Sequence, residues 1–189
     1  MQKIKCVAVG DGGVGKTCLF WTYAMKEFPQ SIPTIQDHAL CISRDNSIYN
    51  LGLFDAAGET EDKLRPLMYP GTDVALVCFS VVSPQSFESA KSKWIPEILQ
   101  HCPDAPFILV GTKSDLRDDI ATLEKLSSVN ETPVTVEQGQ DTAQTLGAAD
   151  YVECSAQTLL GVEDTINHAV DAVLLNFSAK SKRTKCSIS

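Results

Sequence analysis

One glycine-rich pattern near the N-terminus constrains the fold of this chain more than any other feature. Residues 10–17 read Gly-Asp-Gly-Gly-Val-Gly-Lys-Thr and fit the arrangement G-x-x-x-x-G-K-[ST]. A strand-like run at 3–9 precedes the pattern, and a helix-like run at 16–26 follows it. Glycines let the backbone wrap closely round an anion, while the positive end of the helix dipole points at the same place. The sequence therefore predicts a phosphate-binding loop in an α/β domain.

The last two residues of this loop carry its chemistry. Lys16 is long enough to reach the β- and γ-phosphates of a nucleotide. The Thr17 hydroxyl suits Mg²⁺, a hard cation that prefers oxygen ligands. A chance match in a glycine-containing turn is the competing interpretation, and the flanking strand and helix argue against it. The loop alone does not distinguish nucleoside kinases, ATPases and GTPases.

The remaining sequence alternates strand-like and helix-like patterns, which favours an α/β fold with a mostly parallel sheet. The strand-like segments are residues 3–9, 39–44, 47–54, 74–82, 107–111 and 151–153. The helix-like segments include residues 16–26, 86–100, 136–146 and 162–177, for about five helices in all. The turn signal at residues 45–46 predicts a hairpin and hence one antiparallel strand. Pro96 predicts a defect in its helix, and Gly147 a helix C-cap.

Composition narrows the class of partner. The chain has 189 residues and a net charge of −8. Of its 16 basic side chains four lie within residues 180–189, so the other 12 oppose all 24 acidic ones. An acidic body with a short basic tail argues against nucleic acid and favours a membrane-facing end. The seven cysteines form no C-x-x-C pair, which favours a reducing, cytoplasmic setting without disulfides or zinc.

Two further loops favour guanine as the base. After the strand at 107–111 the chain reads Thr-Lys-Ser-Asp, ending at Asp115. A carboxylate there can accept hydrogen bonds from N1–H and the exocyclic amine of guanine, a donor pair that adenine lacks. After the strand at 151–153 comes Cys154-Ser155-Ala156, a turn of small residues whose backbone amides can meet the guanine carbonyl. Each signal is weak alone, but with the phosphate loop and in this order they are strong.

With these motifs in place, the chain resembles the Ras superfamily and, within it, the Rho/Rac branch, over nearly its whole length. Thr112 begins the guanine motif as in Rho-type proteins, residues 64–70 resemble their second switch, and residues 118–131 match their helical insert. Residues 94–97, Trp-Ile-Pro-Glu, are also Rac-like. The resemblance implies the P-loop NTPase fold of small G proteins, with a six-stranded sheet, about five helices and the short insert.

The resemblance also implies which residues bind GTP or GDP with Mg²⁺. Phe28 is expected to stack near guanine, and Thr34 to bind Mg²⁺ and the γ-phosphate. The expected nucleotide contacts are Gly12, Gly13, Val14, Gly15, Lys16, Thr17, Cys18, Phe28, Thr34, Gly58, Thr112, Lys113, Asp115, Leu116, Ser155 and Ala156. The expected metal contacts are Thr17, Thr34 and, through water, Asp55. Hydrolysis of GTP is assigned to Glu59, Lys16, Thr34 and Gly58.

Two departures from the family pattern concern the switches. Glu59 stands where the family has a glutamine that orients the attacking water. An ionised glutamate only accepts hydrogen bonds, so it either still orients water and supports slow turnover, or it repels the γ-phosphate and holds the GTP state. The first switch is one residue shorter than in Rac-like proteins, and Gln36 and Ala39 replace aromatic residues. Effector recognition of the Rac kind is therefore not carried over.

The C-terminus reads Cys186-Ser187-Ile188-Ser189, a C-a-a-X motif whose final serine favours farnesylation of Cys186. Basic residues just upstream supply the second signal that stable anchoring needs; the alternative is an unmodified tail. We expect a GTP-binding domain at 1–178, a flexible polybasic tail at 179–189, and a monomer peripheral to the cytoplasmic face of the plasma membrane. By resemblance, its partners are exchange factors, activating proteins, dissociation inhibitors and effectors that act on the actin cytoskeleton or polarity.

Overall fold

The computed structural model describes residues 2–31, 38–44, 46–56 and 65–186. Its centre is one six-stranded sheet with the order β2-β3-β1-β4-β5-β6. The strands are β1 (Gln2–Val9), β2 (His38–Arg44), β3 (Ser47–Asp55), β4 (Val74–Ser80), β5 (Phe107–Thr112) and β6 (Asp150–Glu153). Strands β2 and β3 pair antiparallel, and every other neighbouring pair is parallel. This confirms the predicted mixed sheet, including the hairpin, whose turn holds Asn46 at φ 59°.

Along the chain, the helices lie between the strands, except for the last helix, which follows β6. They are α1 (Lys16–Met25), α2 (Pro84–Ser89), α3 (Ile95–His101), α4 (Ile120–Ser128), α5 (Val136–Leu146) and α6 (Val162–Cys186). A π-helical turn, Ala90–Trp94, joins α2 to α3, so these three segments form one continuous helical body. With it, the described residues contain five helical bodies, and α4 lies within the predicted insert. Short 3₁₀ turns occupy Arg65–Met68 and Ser114–Leu116.

The defect predicted from Pro96 is this π turn. Proline has no N–H to donate and crowds the preceding turn, so an α-helix tolerates it only near its start. Here Ile95 donates its N–H to the carbonyl of Ala90, five residues back, and Pro96 then stands at the beginning of α3. The extra residue in the π turn therefore lets the helix pass the proline without a break. Gly147 ends α5 at φ 76°, as predicted for a C-cap.

The end of the last helix was predicted wrongly. Apolar periodicity stops at Phe177 and placed the helix end there, whereas the backbone of α6 continues to Cys186. Residues 178–186 contain neither glycine nor proline, so nothing local interrupts the helix once it has started. A helical backbone thus runs through most of the segment expected to be a flexible tail. No helix among the described residues combines the length and apolar character that crossing a membrane requires.

The sheet is covered on both faces, which explains its continuous apolar strands. Alternate residues of β1 enter opposite core clusters, with Ile4, Cys6 and Ala8 on the side of α6, and Val7 and Val9 on the side of α3. All seven residues of β4 are buried. The cysteines whose side chains the structure describes are free, as predicted: Cys6, Cys18, Cys41, Cys78, Cys102 and Cys154.

Candidate nucleotide-binding site

The phosphate loop connects the carboxyl end of β1 to α1, as the motif predicts. Glycine is required at its first position, because a Cβ on Gly10 would lie 2.2 Å from the carbonyl oxygen of Cys78 on β4. Gly13 and Gly15 adopt φ values of 72° and 105°, which favour glycine. Neighbouring Val14 is 3% exposed and anchors the loop in the core, while Gly12 is exposed. The loop therefore keeps its backbone accessible on one side and fixed on the other.

Lys16 lies across this loop rather than pointing to solvent. Its side chain is 5% exposed, and its Nζ donates to the carbonyls of Gly10 and Asp11 at 2.8 Å each. The ammonium charge is therefore held on the concave side of the loop. Phosphate oxygens in that position would offer it charged acceptors, which form stronger hydrogen bonds than carbonyls do.

The end of β3 supplies a carboxylate beside the same loop. Parallel pairing places Asp55 opposite Ala8, two residues before Gly10. Asp55 is 2% exposed and accepts a hydrogen bond from the Thr17 hydroxyl. A hydroxyl and a carboxylate in contact are hard oxygen donors and fit Mg²⁺, which takes few ligands from protein and the rest from water and phosphate. The described residues hold no cluster of three or more His, Cys, Asp or Glu that could bind a metal ion.

A cavity of about 310 Å³ opens next to the phosphate loop. This volume is at the lower end of the roughly 300–1,000 Å³ typical of small-molecule sites. Its lining residues are Gly15, Cys18, Leu19, Phe28, Thr112, Lys113, Asp115, Leu116, Cys154, Ala156 and Gln157. Eight of these were predicted nucleotide contacts, which the fold brings together from four separate segments. Of the other three, Cys154 belongs to the predicted turn at 154–156, while Leu19 and Gln157 were missed, although each directly follows a predicted residue.

Polar and aromatic groups are placed where a planar base would fit. Phe28 is 37% exposed and contributes an aromatic ring to the cavity wall. Lys113 has φ 58° and donates from Nζ to the Gly13 carbonyl at 2.7 Å, so its side chain spans from the β5 loop to the phosphate loop. Asp115 lies in the same wall and is exposed, which leaves its carboxylate accessible to a ligand.

Thr112 and Ser155 have structural contacts that sequence did not reveal. Thr112 is 4% exposed, and its hydroxyl lies within donor reach of the carbonyls of Val14 and Phe79. Ser155 is fully buried; its N–H donates to the Leu160 carbonyl at 2.8 Å and its Oγ accepts from Thr158 N–H. Ser155 thus closes the turn beneath the cavity, while Ala156 lines it.

The two cysteines in the cavity wall are neutral. Burial raises the pKa of Cys18, although the nearby Lys113 opposes the shift, and burial raises the pKa of Cys154 to about 12. Neither thiol ionises near neutral pH, so neither is a nucleophile here. The predicted residues Thr34, Gly58 and Glu59 lie outside the described residues, as does the side chain of Cys186.

A mostly parallel sheet, a phosphate loop after its first strand and a cavity at the carboxyl ends of its strands define a phosphate-loop nucleotide-binding protein. The model of the Ras family matches residues 5–175. The chain belongs to the Ras family and is a small GTPase. Members of this family bind GTP or GDP, typically with Mg²⁺, and generally hydrolyse GTP.

Proposed function

We propose that this protein is a Rho-type switch that cycles between GTP and GDP at a membrane surface. The observation that carries the proposal is the cavity of about 310 Å³, whose wall contains Gly15 and Cys18 of the phosphate-loop side together with Asp115. One ligand can therefore meet the phosphate-binding loop and a carboxylate suited to guanine at once.

Different side chains are assigned to the phosphates and to the base of the nucleotide. Lys16 would hold the β- and γ-phosphates, and Thr17 and, through water, Asp55 would hold Mg²⁺, which when bound neutralises phosphate charge. Phe28 and the side chain of Lys113 flank the base, and Asp115 accepts from its N1–H and amine. Since the Ser155 amide already donates to Leu160, the amide of Ala156 is the donor for the guanine carbonyl.

The Rho assignment is supported by Thr112 in the guanine motif and by the insert. Helix α4 begins after Asp119, whose carboxylate accepts from Thr122 N–H at 2.9 Å and so caps it. Exchange factors, activating proteins, dissociation inhibitors and effectors are the partners of such a switch, which acts as a monomer on the actin cytoskeleton or polarity. Gln36 and Ala39 of the first switch make its effector set different from that of Rac.

The first test is base specificity. Purified protein should contain guanine nucleotide and should bind GDP far more tightly than ADP. Asp115→Asn removes the charged acceptor of two hydrogen bonds and should weaken GDP binding by about 10²- to 10⁴-fold. Asp141→Asn, an exposed carboxylate on α5, is the matched control and should leave GDP affinity unchanged. Equal affinity for ADP and GDP would exclude the proposal.

The second test separates a cycling enzyme from a binding module that stays loaded with GTP. Single-turnover hydrolysis of bound GTP is compared between the natural chain and Glu59→Gln, with and without a Rho-type activating protein. Similar rates support slow turnover in which Glu59 orients water. If only the glutamine variant turns over, the protein is a persistently GTP-loaded module that recruits effectors until it is removed or released.

Membrane attachment is tested at Cys186. Incubation with prenyl donors and a prenyltransferase should add one prenyl group to the natural chain and none to Cys186→Ser. The modified protein should then sediment with anionic vesicles, aided by the basic residues of 180–189 at about 1 kcal/mol each. Modification by the farnesyl donor alone would settle the choice between farnesyl and geranylgeranyl. No modification by either donor would exclude the anchor.

A further inference from the structure

One ion pair joins the two loops that line the end of the cavity proposed to bind the guanine base. Arg117 directly follows the cavity-lining residue Leu116, and Glu153 directly precedes Cys154. Their side chains meet as two planar forks, with Nη1 of Arg117 2.6 Å from Oε2 of Glu153 and Nη2 2.5 Å from Oε1. The side chains are only 22% and 16% exposed, so solvent screens the pair weakly.

Further hydrogen bonds fix both partners of this pair. Nε and Nη2 of Arg117 donate to the Val134 carbonyl at 3.3 and 3.0 Å. The Tyr151 hydroxyl donates to Oε1 of Glu153 at 2.6 Å. The guanidinium is therefore held by β6 on one side and by the segment before α5 on the other. A guanidinium with this many hydrogen-bond partners has one defined orientation.

The turn that carries Asp115 is short and needs this support. Asp115 is the middle residue of the 3₁₀ turn Ser114–Leu116, whose bonds from Leu116 to Lys113 and from Arg117 to Ser114 are 3.0 and 3.3 Å long. A three-residue 3₁₀ turn has poor hydrogen-bond geometry and holds itself weakly. Besides the ion pair, a hydrogen bond of 3.2 Å from Ser114 N–H to the Cys154 carbonyl joins the two loops.

We propose that Arg117 and Glu153 are positioning residues that fix Asp115 against the base, and so set both the preference for the exocyclic amine of guanine and the rate of nucleotide release. This inference rests on the proposed guanine-nucleotide function. A carboxylate that accepts from two donors at once must be held within about 0.5 Å of one place, which a loosened turn does not achieve. Neither Arg117 nor Glu153 lines the cavity.

The test compares GDP with inosine diphosphate, which lacks the exocyclic amine. In Arg117→Met, GDP release should accelerate about tenfold, the expected effect of losing hydrogen bonds between charged groups. The ratio of GDP to inosine diphosphate affinity should fall about fivefold, because only GDP uses the second hydrogen bond to Asp115. Glu153→Gln should change both quantities in the same direction.

Arg44→Met is the matched control. Arg44 forms a similar two-pronged pair with Asp171 on α6, at 2.8 and 2.5 Å, and neither residue lines the cavity. Its loss should lower the unfolding temperature only slightly, because the two side chains are 37% and 43% exposed, and should not change the affinity ratio. If Arg117→Met weakens GDP and inosine diphosphate equally, the pair is merely structural and the inference is wrong.

Two further outcomes stay distinguishable. If the natural chain does not prefer guanine over adenine nucleotides, the proposed function itself fails. If Arg117→Met does not fold, Arg117→Lys decides, since lysine keeps the charge but cannot form the two-pronged contact. An unchanged affinity ratio in Arg117→Lys then overturns the inference, and a reduced ratio supports it.

Discussion

At the scale of single residues, Thr112 joins parts of the chain that are far apart in sequence. Its hydroxyl lies between the carbonyl of Val14 in the phosphate loop and that of Phe79 in β4. One hydroxyl has one proton, so it donates to one carbonyl at a time while remaining close to both. The sequence marked this position only as a family feature of the guanine motif. Its contacts make it a clamp between the base-binding and phosphate-binding loops.

The clamp predicts the effect of Thr112→Val. Valine keeps the shape of the side chain but removes the donor, leaving a buried carbonyl without its partner. We expect a loss of about 1–3 kcal/mol in the free energy of unfolding, together with faster GDP release. Urea unfolding measures the first effect and release of fluorescent GDP the second. Thr158→Val, on an exposed threonine nearby, should change neither, and equal losses in the two variants would refute the clamp.

At the scale of elements, a network attaches the 3₁₀ turn Arg65–Met68 to the helical body that contains Trp94. Arg65 is 3% exposed, lies 4.7 Å over the Trp94 ring, and donates to Glu97 at 2.7 and 3.1 Å. Trp94 in turn donates from Nε1 to Asp11 of the phosphate loop at 2.7 Å. The chain that follows the undescribed residues 57–64 is thus tied to the phosphate loop through one indole ring.

The network makes part of the stability depend on pH through Glu97. Burial tends to raise its pKa, but hydrogen bonds from Arg65 and Tyr69 outweigh burial, so the pKa of Glu97 is lowered. A lowered folded-state pKa stabilises the fold above the unfolded-state pKa of about 4.3, and that contribution disappears as the pH falls through the folded-state value. We expect Glu97→Gln to be about 1.5–3 kcal/mol less stable than the natural chain at pH 7.

Urea unfolding between pH 7 and pH 3 checks this dependence. The difference in the free energy of unfolding between the natural chain and Glu97→Gln should shrink as the pH falls below the unfolded-state pKa of about 4.3. It should disappear once the pH has passed through the lower folded-state pKa, where the natural carboxyl is neutral as well. Glu88→Gln is the control, because Glu88 is 68% exposed and its pair with Lys91 contributes little. If the difference in the free energy of unfolding is the same at all pH values, the pH dependence does not come from Glu97.

For Gly139→Ala, packing between α5 and β6 predicts a change in stability opposite in sign to the one that helix propensity predicts. Glycine inside a helix costs about 1 kcal/mol relative to alanine, so Gly139→Ala would be stabilising in an isolated helix. In the fold, a Cβ at Gly139 would lie 2.1 Å from Cζ of Tyr151. We expect Gly139→Ala to destabilise the protein by about 1–3 kcal/mol through overpacking.

A double-mutant cycle in thermal unfolding separates crowding from backbone strain. Tyr151→Leu should relieve part of the cost of Gly139→Ala, since the ring carbon in the way is gone. It should not change the cost of Gly147→Ala, where φ is 76° and nothing lies within 4 Å of an added Cβ. Additive losses for Gly139→Ala and Tyr151→Leu would show that crowding by the ring is not the cause.

At the scale of the whole molecule, the core residues of α6 and the basic residues near the C-terminus occupy different parts of the helix. The fully buried residues of α6 end at Val173, and Phe177 packs at the margin of the core. The basic residues of 180–189 follow, on a protein that is otherwise strongly acidic. The boundary near residue 178 stays a prediction, and the helix backbone passes through it. Stability and membrane attraction should therefore depend on different parts of one helix.

Truncation after residue 178 tests that division. We expect the free energy of unfolding and GDP affinity to change by less than about 0.5 kcal/mol, since the buried core residues among the described side chains of α6 end at Val173. Binding to anionic vesicles should be lost. A full-length variant with Lys180, Lys182, Arg183 and Lys185 changed to glutamine controls for chain length and should also lose vesicle binding. A truncated chain that is much less stable would place the domain boundary later.

Most of the fold could be predicted from the sequence, because local patterns dictate it. The strands β1, β4 and β5 were predicted to within two residues, since continuous apolar runs between turns suit strands covered on both faces. The end of α6 could not be predicted in this way. Apolar periodicity marks only the part of a helix that has a buried face, and the helix can continue beyond that part. Seven of the eight predicted cavity residues lie in or beside short motifs, whereas Phe28 was expected only from the family resemblance.

The sequence by itself determined the phosphate loop, the order of elements and the residues that the two base-binding loops present. Glycine spacing, strand composition and helix periodicity are local, and each depends on neighbours within a few positions. Tertiary structure alone decided that Thr112 meets Val14, that Arg117 meets Glu153 and that Gly139 faces the Tyr151 ring. Those pairs are joined by strand order and register across a sheet, and contacts between distant residues depend on the whole packed core rather than on any single segment.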